Sequence, residues 1–131
     1  MNETIFSLKG KTALVTGGGT GVGVSIAMAL SKAGAKVALA ARREEKLKET
    51  EVSIVASGGI AQSFRLDVSS EENVKNCLDS IAEEMGEIDI LINNAGTTTV
   101  GLLDQTDSED WDMVMNTNLR GPWFLAKQWV S

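Results

Sequence analysis

The chain has 131 residues, of which 43% are hydrophobic and 23% charged, and this suits one compact domain with a buried core. Its net charge of −6 argues against nucleic-acid binding, and no apolar run approaches the roughly 18 residues of a membrane helix. With one cysteine and no histidine, the chain offers no internal disulfide, no zinc site of the usual kind and no Ser-His-Asp or Cys-His centre, and we predict no metal-binding residues.

Short apolar runs alternate with longer amphipathic stretches along the chain. Strands are predicted at residues 12–16, 36–41, 60–66 and 88–93. Helices are predicted at residues 22–33 and 44–57, in a segment beginning near Ser69, and from about Ser108 towards the C-terminus. Gly34 and Gly86 are predicted helix stops.

The third helix has the clearest sequence signals. Ser69 stands three residues before Glu72, which is the spacing of a capping box, and Thr106 and Glu109 repeat that spacing before the last helix. The buried face of the third helix is predicted to consist of Val74, Leu78, Ile81 and Met85. The three tryptophans, Trp111, Trp123 and Trp129, are predicted to be core or interface residues.

Alternation of apolar strands with helices predicts a parallel sheet covered by helices on both faces. Right-handed crossovers then give a Rossmann-type, doubly wound sheet with the strand order 3-2-1-4, in a single α/β domain over residues 1–131. A ligand is expected at the switch point, beyond the carboxyl ends of strands one and four.

A glycine cluster, TGGGTGVG at residues 16–23, joins the first strand to the first helix. Glycine adopts backbone angles closed to other residues and lets a phosphate group approach the backbone closely. The free N–H groups and the positive end of the helix dipole then face the anion. An isolated cluster of this kind is as readily a flexible turn, but its position between a strand and a helix favours dinucleotide binding.

The spacing of Gly17, Gly21 and Gly23, TGxxxGxG, resembles that of short-chain dehydrogenases/reductases. The resemblance extends along nearly the whole chain, through Gly10-Lys11, Leu66-Asp67-Val68, the Asn93-Asn94-Ala95-Gly96 motif and Asn118-Leu119-Arg120-Gly121. It implies that the coenzyme is bound by Thr16, Gly17, Gly19, Thr20, Gly21, Val22, Gly23, Asp67, Val68, Asn94, Ala95 and Gly96. In that family the residue matching Asp67 contacts the adenine ring, and the one matching Asn118 supports a catalytic water relay.

Each of these roles has a structural alternative. Asp67 could cap a loop, Asn93 and Asn94 could tie down the end of a strand, and Asn118 could bond to helix backbone. For the asparagine pair the two roles are compatible, because a fixed strand end also positions the nucleotide.

The coenzyme choice is predicted from the tip of the second strand, which reads Ala41-Arg42-Arg43. A carboxylate there would favour NAD, whereas an arginine fork matches a 2′-phosphate. The sequence therefore predicts NADP rather than NAD, with Ala41, Arg42 and Arg43 at the site. The alternative is that both arginines are solvated partners of Glu44 or Glu45, and Thr20 stands where many NADP-preferring relatives carry a basic residue.

The resemblance implies an oxidoreductase that interconverts a carbonyl and an alcohol by hydride transfer, acting as a homo-oligomer on a small molecule. The family's catalytic serine, tyrosine and lysine would follow residue 131, and the chain contains no tyrosine. We therefore expect a fold truncated before the catalytic strand and helix, without activity on its own. A non-catalytic nucleotide-binding module and a non-functional truncation remain alternatives, and the substrate and reaction direction stay open.

The location in the cell is predicted from two sequence features. The first eleven residues lack a basic start followed by an apolar stretch, so no signal peptide is expected. The lone Cys77 suits a reducing compartment. We therefore expect a cytoplasmic protein.

Overall fold

The computed structural model describes residues 7–19, 21–94, 108–115 and 121–130. The strands are β1 (Thr12–Thr16), β2 (Lys36–Ala41), β3 (Ala61–Arg65) and β4 (Ile90–Ile92). The helices are α1 (Gly21–Lys32), α2 (Glu44–Ala56), α3 (Glu71–Met85), α4 (Ser108–Met115) and α5 (Gly121–Val130).

The described strands form a parallel sheet in the order β3-β2-β1-β4, which confirms the predicted topology. β1 lies inside the sheet, with Thr12 paired to Lys36 on one side and Val15 paired to Ile92 on the other. All five residues of β1 are buried, because helices cover both faces of the sheet. Because β1 is covered on both faces, side chains on both of its faces need to be apolar.

Two apolar clusters form the core, one on each face of the sheet. Leu14 belongs to the cluster with residues of α3 and α5, whereas Val15 belongs to the cluster with residues of α1 and α2. Successive side chains of a strand point to opposite faces, so neighbours in β1 serve different clusters. No helix in the described ranges is long and apolar enough to cross a membrane.

The start of α3 differs from the prediction by one residue. Ser70, and not Ser69, is the N-cap, and its Oγ accepts a hydrogen bond from Asn73 N at 3.2 Å. Ser69 instead donates both its N–H and its hydroxyl to Asp67 Oδ1. The predicted Ser69–Glu72 capping box is therefore wrong, because the Asp67 carboxylate competes successfully for Ser69.

The buried face of α3 also differs in one member. Val74, Ile81 and Met85 are buried as predicted, but Cys77 is buried with them and Leu78 only packs against the cluster from its edge. Cys77 belongs to the core cluster because a free cysteine behaves as a small apolar residue.

β4 is shorter than predicted, and a side-chain hydrogen bond to β1 lies beside each of its ends. Asp89 Oδ2 accepts from Thr12 N at 2.9 Å before the strand begins. Asn94 N donates to the hydroxyl of Thr16 at 2.8 Å after it ends. The glycine stops behave as predicted, since Gly34 and Gly86 have φ of 108° and 92°.

The C-terminal part, predicted as one helix from about Ser108, is described as α4 and α5, and residues 116–120 lie outside the described ranges. Thr106, the proposed cap, also lies outside them. Trp123 is 57% exposed, so it is not a core residue in this chain. Trp129 lies at the surface of α5 and donates its indole N–H to Ile88 O at 2.9 Å.

Candidate dinucleotide-binding site

The candidate site lies where the strand order reverses. The chain passes from β1 outwards to β2 and β3 on one side, and then returns to β4 on the other side of β1. The switch point of the sheet therefore lies between β1 and β4. Open parallel sheets bind ligands at this point, beyond the carboxyl ends of the strands. The glycine-rich loop leaves β1 at this point and leads into α1.

The glycine loop depends on glycine at several positions for different reasons. Gly17 and Gly21 have φ of 70° and 53°, in the left-handed region that favours glycine. A Cβ atom on Gly23 would lie 2.1 Å from Gly17 O, so only glycine lets α1 approach the loop this closely. A Cβ on Gly21 would meet no atom within 4 Å, and Val22 is 67% exposed, so this stretch of backbone faces open space. Thr20 lies outside the described residues.

The ends of β1 and β4 are joined through the Thr16 side chain. Its hydroxyl accepts from Asn94 N at 2.8 Å and donates to Ile92 O at 3.3 Å. The side-chain amide of Asn94 donates to Gly17 O at 3.3 Å, which attaches β4 directly to the glycine loop. The strand-tying role of Asn94 considered from the sequence is thus observed.

The neighbouring residues of the asparagine motif are only partly described. The side-chain amide of Asn93 donates a hydrogen bond to Pro122 O at 3.5 Å. Ala95 and Gly96 lie outside the described residues, as does Asn118.

The tip of β2 carries two exposed arginines. Ala41 O accepts a hydrogen bond from Leu66 N at 2.9 Å, which holds the tip of β2 to β3. Arg42 and Arg43 follow and are exposed. Within the described ranges neither arginine makes an ion pair, so the alternative pairing with Glu44 or Glu45 is not observed.

Asp67 stands beside this positive tip, directly after β3. The Ser69 hydroxyl donates to its carboxylate at 2.6 Å and is the main cause that holds the pKa of Asp67 below its ordinary value. The backbone N–H of Ser69 and the positive charges of Arg42 and Arg65 act in the same direction, against partial burial. Asp67 therefore caps its own loop, and its partial exposure leaves it accessible. Val68, which follows it, is buried.

Sequence reasoning missed Thr50. This residue lies on the inner face of α2 and donates its hydroxyl to Gly18 O at 3.0 Å. It stands three residues after Leu47 and four before Ile54, both of which are fully buried. Thr50 could have been found from the sequence as a hydroxyl-bearing residue at an inward position of an amphipathic helix.

The parallel sheet, the glycine loop at its switch point and the polar groups at three strand ends define a Rossmann-type nucleotide-binding fold. The family model of the short chain dehydrogenases matches residues 11–131. The chain therefore belongs to the short-chain dehydrogenase family of oxidoreductases, whose coenzymes are NAD or NADP.

Comparisons with individual relatives support the family assignment. A short chain dehydrogenase from Pseudocercospora fijiensis is 40% identical, over 92% of this chain and 40% of its own length. The 2-dehydro-3-deoxy-D-gluconate 5-dehydrogenase of Bacillus subtilis is 44% identical, over 93% of this chain and 47% of its own length. A crystal structure of a dehydrogenase/reductase from Sinorhizobium meliloti superimposes with a TM-score of 0.94 at 35% identity, over 98% of this chain and 52% of the other. The chain thus spans about half the length of these relatives.

Proposed function

We propose that this chain forms the coenzyme-binding part of an oxidoreductase that uses NADP(H) to interconvert a carbonyl and an alcohol. The observation that carries the choice of coenzyme is the tip of β2, where Ala41 replaces a carboxylate and Arg42 is exposed without an ion-pair partner among the described residues. An exposed guanidinium at this strand tip is suited to a 2′-phosphate, which it can bind through two parallel hydrogen bonds.

The remaining features of the site fit the rest of the coenzyme. The backbone of the glycine loop faces open space at Gly21, and the N-terminus of α1 directs its free N–H groups to the same place. A diphosphate needs both of these properties. We assign Thr16, Gly17, Gly19 and the neighbouring loop residues Thr20, Gly21, Val22 and Gly23 to the diphosphate side.

The adenosine side is assigned to residues at the ends of β2, β3 and β4. Asp67 and Val68 follow β3, and the partly exposed carboxylate of Asp67 offers an acceptor for an amino group. Ala41, Arg42 and Arg43 would border the ribose and its phosphate. Asn94, Ala95 and Gly96 would line the floor of the cleft.

These residues are assigned to coenzyme binding and not to proton transfer. The nicotinamide coenzyme supplies or accepts the hydride when bound. The sequence contains no tyrosine, the residue that donates the proton in this family, and Asn118 is the one residue proposed here for the catalytic relay. A small carbonyl or alcohol substrate, a homo-oligomeric assembly and a cytoplasmic location belong to the same proposal.

The test is a titration of the purified protein with NADPH and with NADH, followed by the fluorescence of the reduced nicotinamide. A charge-assisted hydrogen bond contributes about 1.5–3 kcal/mol, so the dissociation constant for NADPH should be about ten- to a hundredfold lower than that for NADH. Equal affinities would contradict the choice of NADP. Failure of a folded protein to bind either coenzyme would contradict the whole proposal.

A further inference from the structure

The hydroxyl of Thr50 does not bond within its own helix. A serine or threonine inside a helix commonly donates to the carbonyl four residues earlier. In the same helical stretch Ser53 donates to Glu49 O and Ser57 to Ser53 O, both at 3.0 Å. Thr50 instead donates to Gly18 O, 32 residues away in the sequence, and its side chain is only 4% exposed. This bond therefore links α2 to the glycine loop.

A second contact brings α2 against the same part of the loop. A Cβ atom on Gly19 would lie 2.9 Å from Lys46 Cβ and 3.4 Å from Leu47 N. Gly18 and Gly19 thus lie against the first turns of α2, and Gly19 is only partly buried. An apolar residue at position 50 would fill the core equally well, so the hydroxyl is explained by its acceptor.

The bond to Gly18 O fixes the orientation of one peptide group. In a planar trans peptide the carbonyl oxygen and the following N–H point in opposite directions. Because Gly18 O points into α2, the N–H of Gly19 points away from α2. This N–H is then available to an anionic or hydroxyl-bearing ligand on the other side of the loop.

We propose that Thr50 is a positioning residue for coenzyme binding, which holds the Gly18–Gly19 peptide so that the Gly19 N–H faces the ligand. This inference rests on the proposed function, because it requires a dinucleotide at the loop. It names a residue outside the loop itself, on the helix that begins directly after Arg43. The adenosine diphosphate portion is common to NADPH and NADH, so the effect of Thr50 is the same for both.

The test compares Thr50→Val, which keeps the shape and removes the donor, with Thr50→Ser, which keeps the donor. Both are titrated with NADPH and NADH at a temperature where circular dichroism shows each variant to be folded. Thr50→Val should weaken both coenzymes by the same factor, about three- to tenfold for one lost hydrogen bond, and Thr50→Ser should restore most of the affinity. Ser53→Ala is the matched control, since Ser53 bonds only within α2, and its affinities should equal those of the wild type.

Other outcomes separate this inference from the proposed function. If folded Thr50→Val binds both coenzymes as the wild type does, Thr50 is purely structural and the inference is wrong. A loss confined to NADPH would also overturn it, since Thr50 would then act at the 2′-phosphate. If the wild type binds neither coenzyme, the proposed function itself has failed.

A measurement on the wild type covers the case in which Thr50→Val does not fold. The amide resonance of Gly19 is followed by ¹⁵N NMR while NADPH is added. A large shift and slower hydrogen exchange of this amide are expected. An unchanged Gly19 amide in a protein that binds NADPH would overturn the inference.

Discussion

Gly23 in the first turn of α1 lies directly against the carbonyl group of Gly17. A Cβ atom at position 23 would stand 2.1 Å from Gly17 O and 2.7 Å from the side-chain nitrogen of Asn94. Real Cβ atoms do not come this close to backbone atoms. The start of the helix, the loop and the end of β4 therefore meet at one point that has room for hydrogen only.

Gly23→Ala is expected to damage both stability and coenzyme binding. The backbone at Gly17 cannot rotate out of the way as a side chain could, so α1 must move away from the loop. Overpacking of this kind typically lowers the free energy of unfolding by about 1–3 kcal/mol. The displaced loop should also lose at least about tenfold in NADPH affinity. Urea unfolding and NADPH titration of the same preparation measure the two effects.

Gly58→Ala is the control for loss of stability alone. Gly58 follows α2 with a φ of 90°, and a Cβ there would meet no atom within 4 Å. Alanine in this conformation costs about 1–2 kcal/mol of unfolding free energy. Gly58 precedes the start of β3, whereas the glycine loop follows the carboxyl end of β1, so the two positions lie at opposite ends of the parallel strands. Its NADPH affinity should match the wild type. An affinity loss as large as that of Gly23→Ala would mean that destabilisation alone explains both variants.

Thr16→Val is expected to release β4 from β1 at the candidate site. The substitution removes the acceptor for Asn94 N and the donor to Ile92 O, in a side chain that is 1% exposed. Leaving such groups without partners costs about 1–3 kcal/mol of unfolding free energy. Thr16→Ser keeps the hydroxyl and should lose only about 1 kcal/mol for the missing methyl group. A Thr16→Val variant as stable as the wild type, beside a destabilised Thr16→Ser, would show that the methyl group, and not the hydroxyl, matters.

The sheet and its topology could be predicted because the signals are local. Leu14 and Val15 belong to an uninterrupted apolar run, and both are fully buried on opposite faces of the sheet. Such a run requires helices on both faces, and short crossovers leave few strand orders. The glycine loop could also be predicted from the spacing of its glycines, because the backbone geometry requires glycine at Gly17 and Gly23.

The details that were missed depend on side chains that meet only after folding. Thr12 and Asp89 are 77 residues apart in the chain, yet they are joined by a side-chain hydrogen bond directly before β4 begins. Thr50 contacts the loop through a bond that spans 32 residues. The Ser69 error was of another kind, because two adjacent serines could both cap α3, and the neighbouring Asp67 carboxylate decided between them.

The carboxyl group of Asp67 should titrate below the ordinary value, and Ser69→Ala should move its pKa back up. The Ser69 hydroxyl is the largest cause of the lowered pKa, so its removal takes away the strongest stabilisation of the carboxylate. A ¹³C NMR titration of the Asp67 carboxyl carbon in the two proteins gives both pKa values directly. An identical midpoint in the variant would show that Arg42 and Arg65, and not Ser69, dominate.

The same shift predicts a pH dependence of stability. The folded-state pKa of Asp67 lies below its unfolded value, so the contribution is fully present above the unfolded pKa and is lost as the pH falls through the folded pKa. Ser69→Ala should therefore unfold at a lower urea concentration than the wild type near pH 7, and the difference should shrink below about pH 4. A difference that is constant with pH would indicate that Ser69 stabilises the loop without involving the Asp67 charge.

Arg42→Asp should invert the coenzyme preference. The substitution removes the proposed fork for the 2′-phosphate and places a carboxylate at the strand tip, where it repels phosphate and can accept from ribose hydroxyls. NADPH affinity should fall about ten- to a hundredfold, while NADH affinity should rise. The gain for NADH is limited by Asp67, whose carboxylate interacts electrostatically with position 42 and would repel the new charge. Parallel titrations of both proteins with both coenzymes measure the change in the ratio.

A matched control separates the local contact from the change in net charge. Lys48→Asp makes the same change of two charges on α2, but Lys48 is 55% exposed, pairs with Glu51 at 3.6 Å and is not on the buried face of α2 that contacts the glycine loop. The long-range field of an exposed charge is screened within about 8–10 Å at ordinary ionic strength. Lys48→Asp should therefore leave the NADPH/NADH ratio unchanged. If Arg42→Asp also leaves it unchanged, Arg42 does not bind the phosphate, and Arg43 becomes the next candidate at the same strand tip.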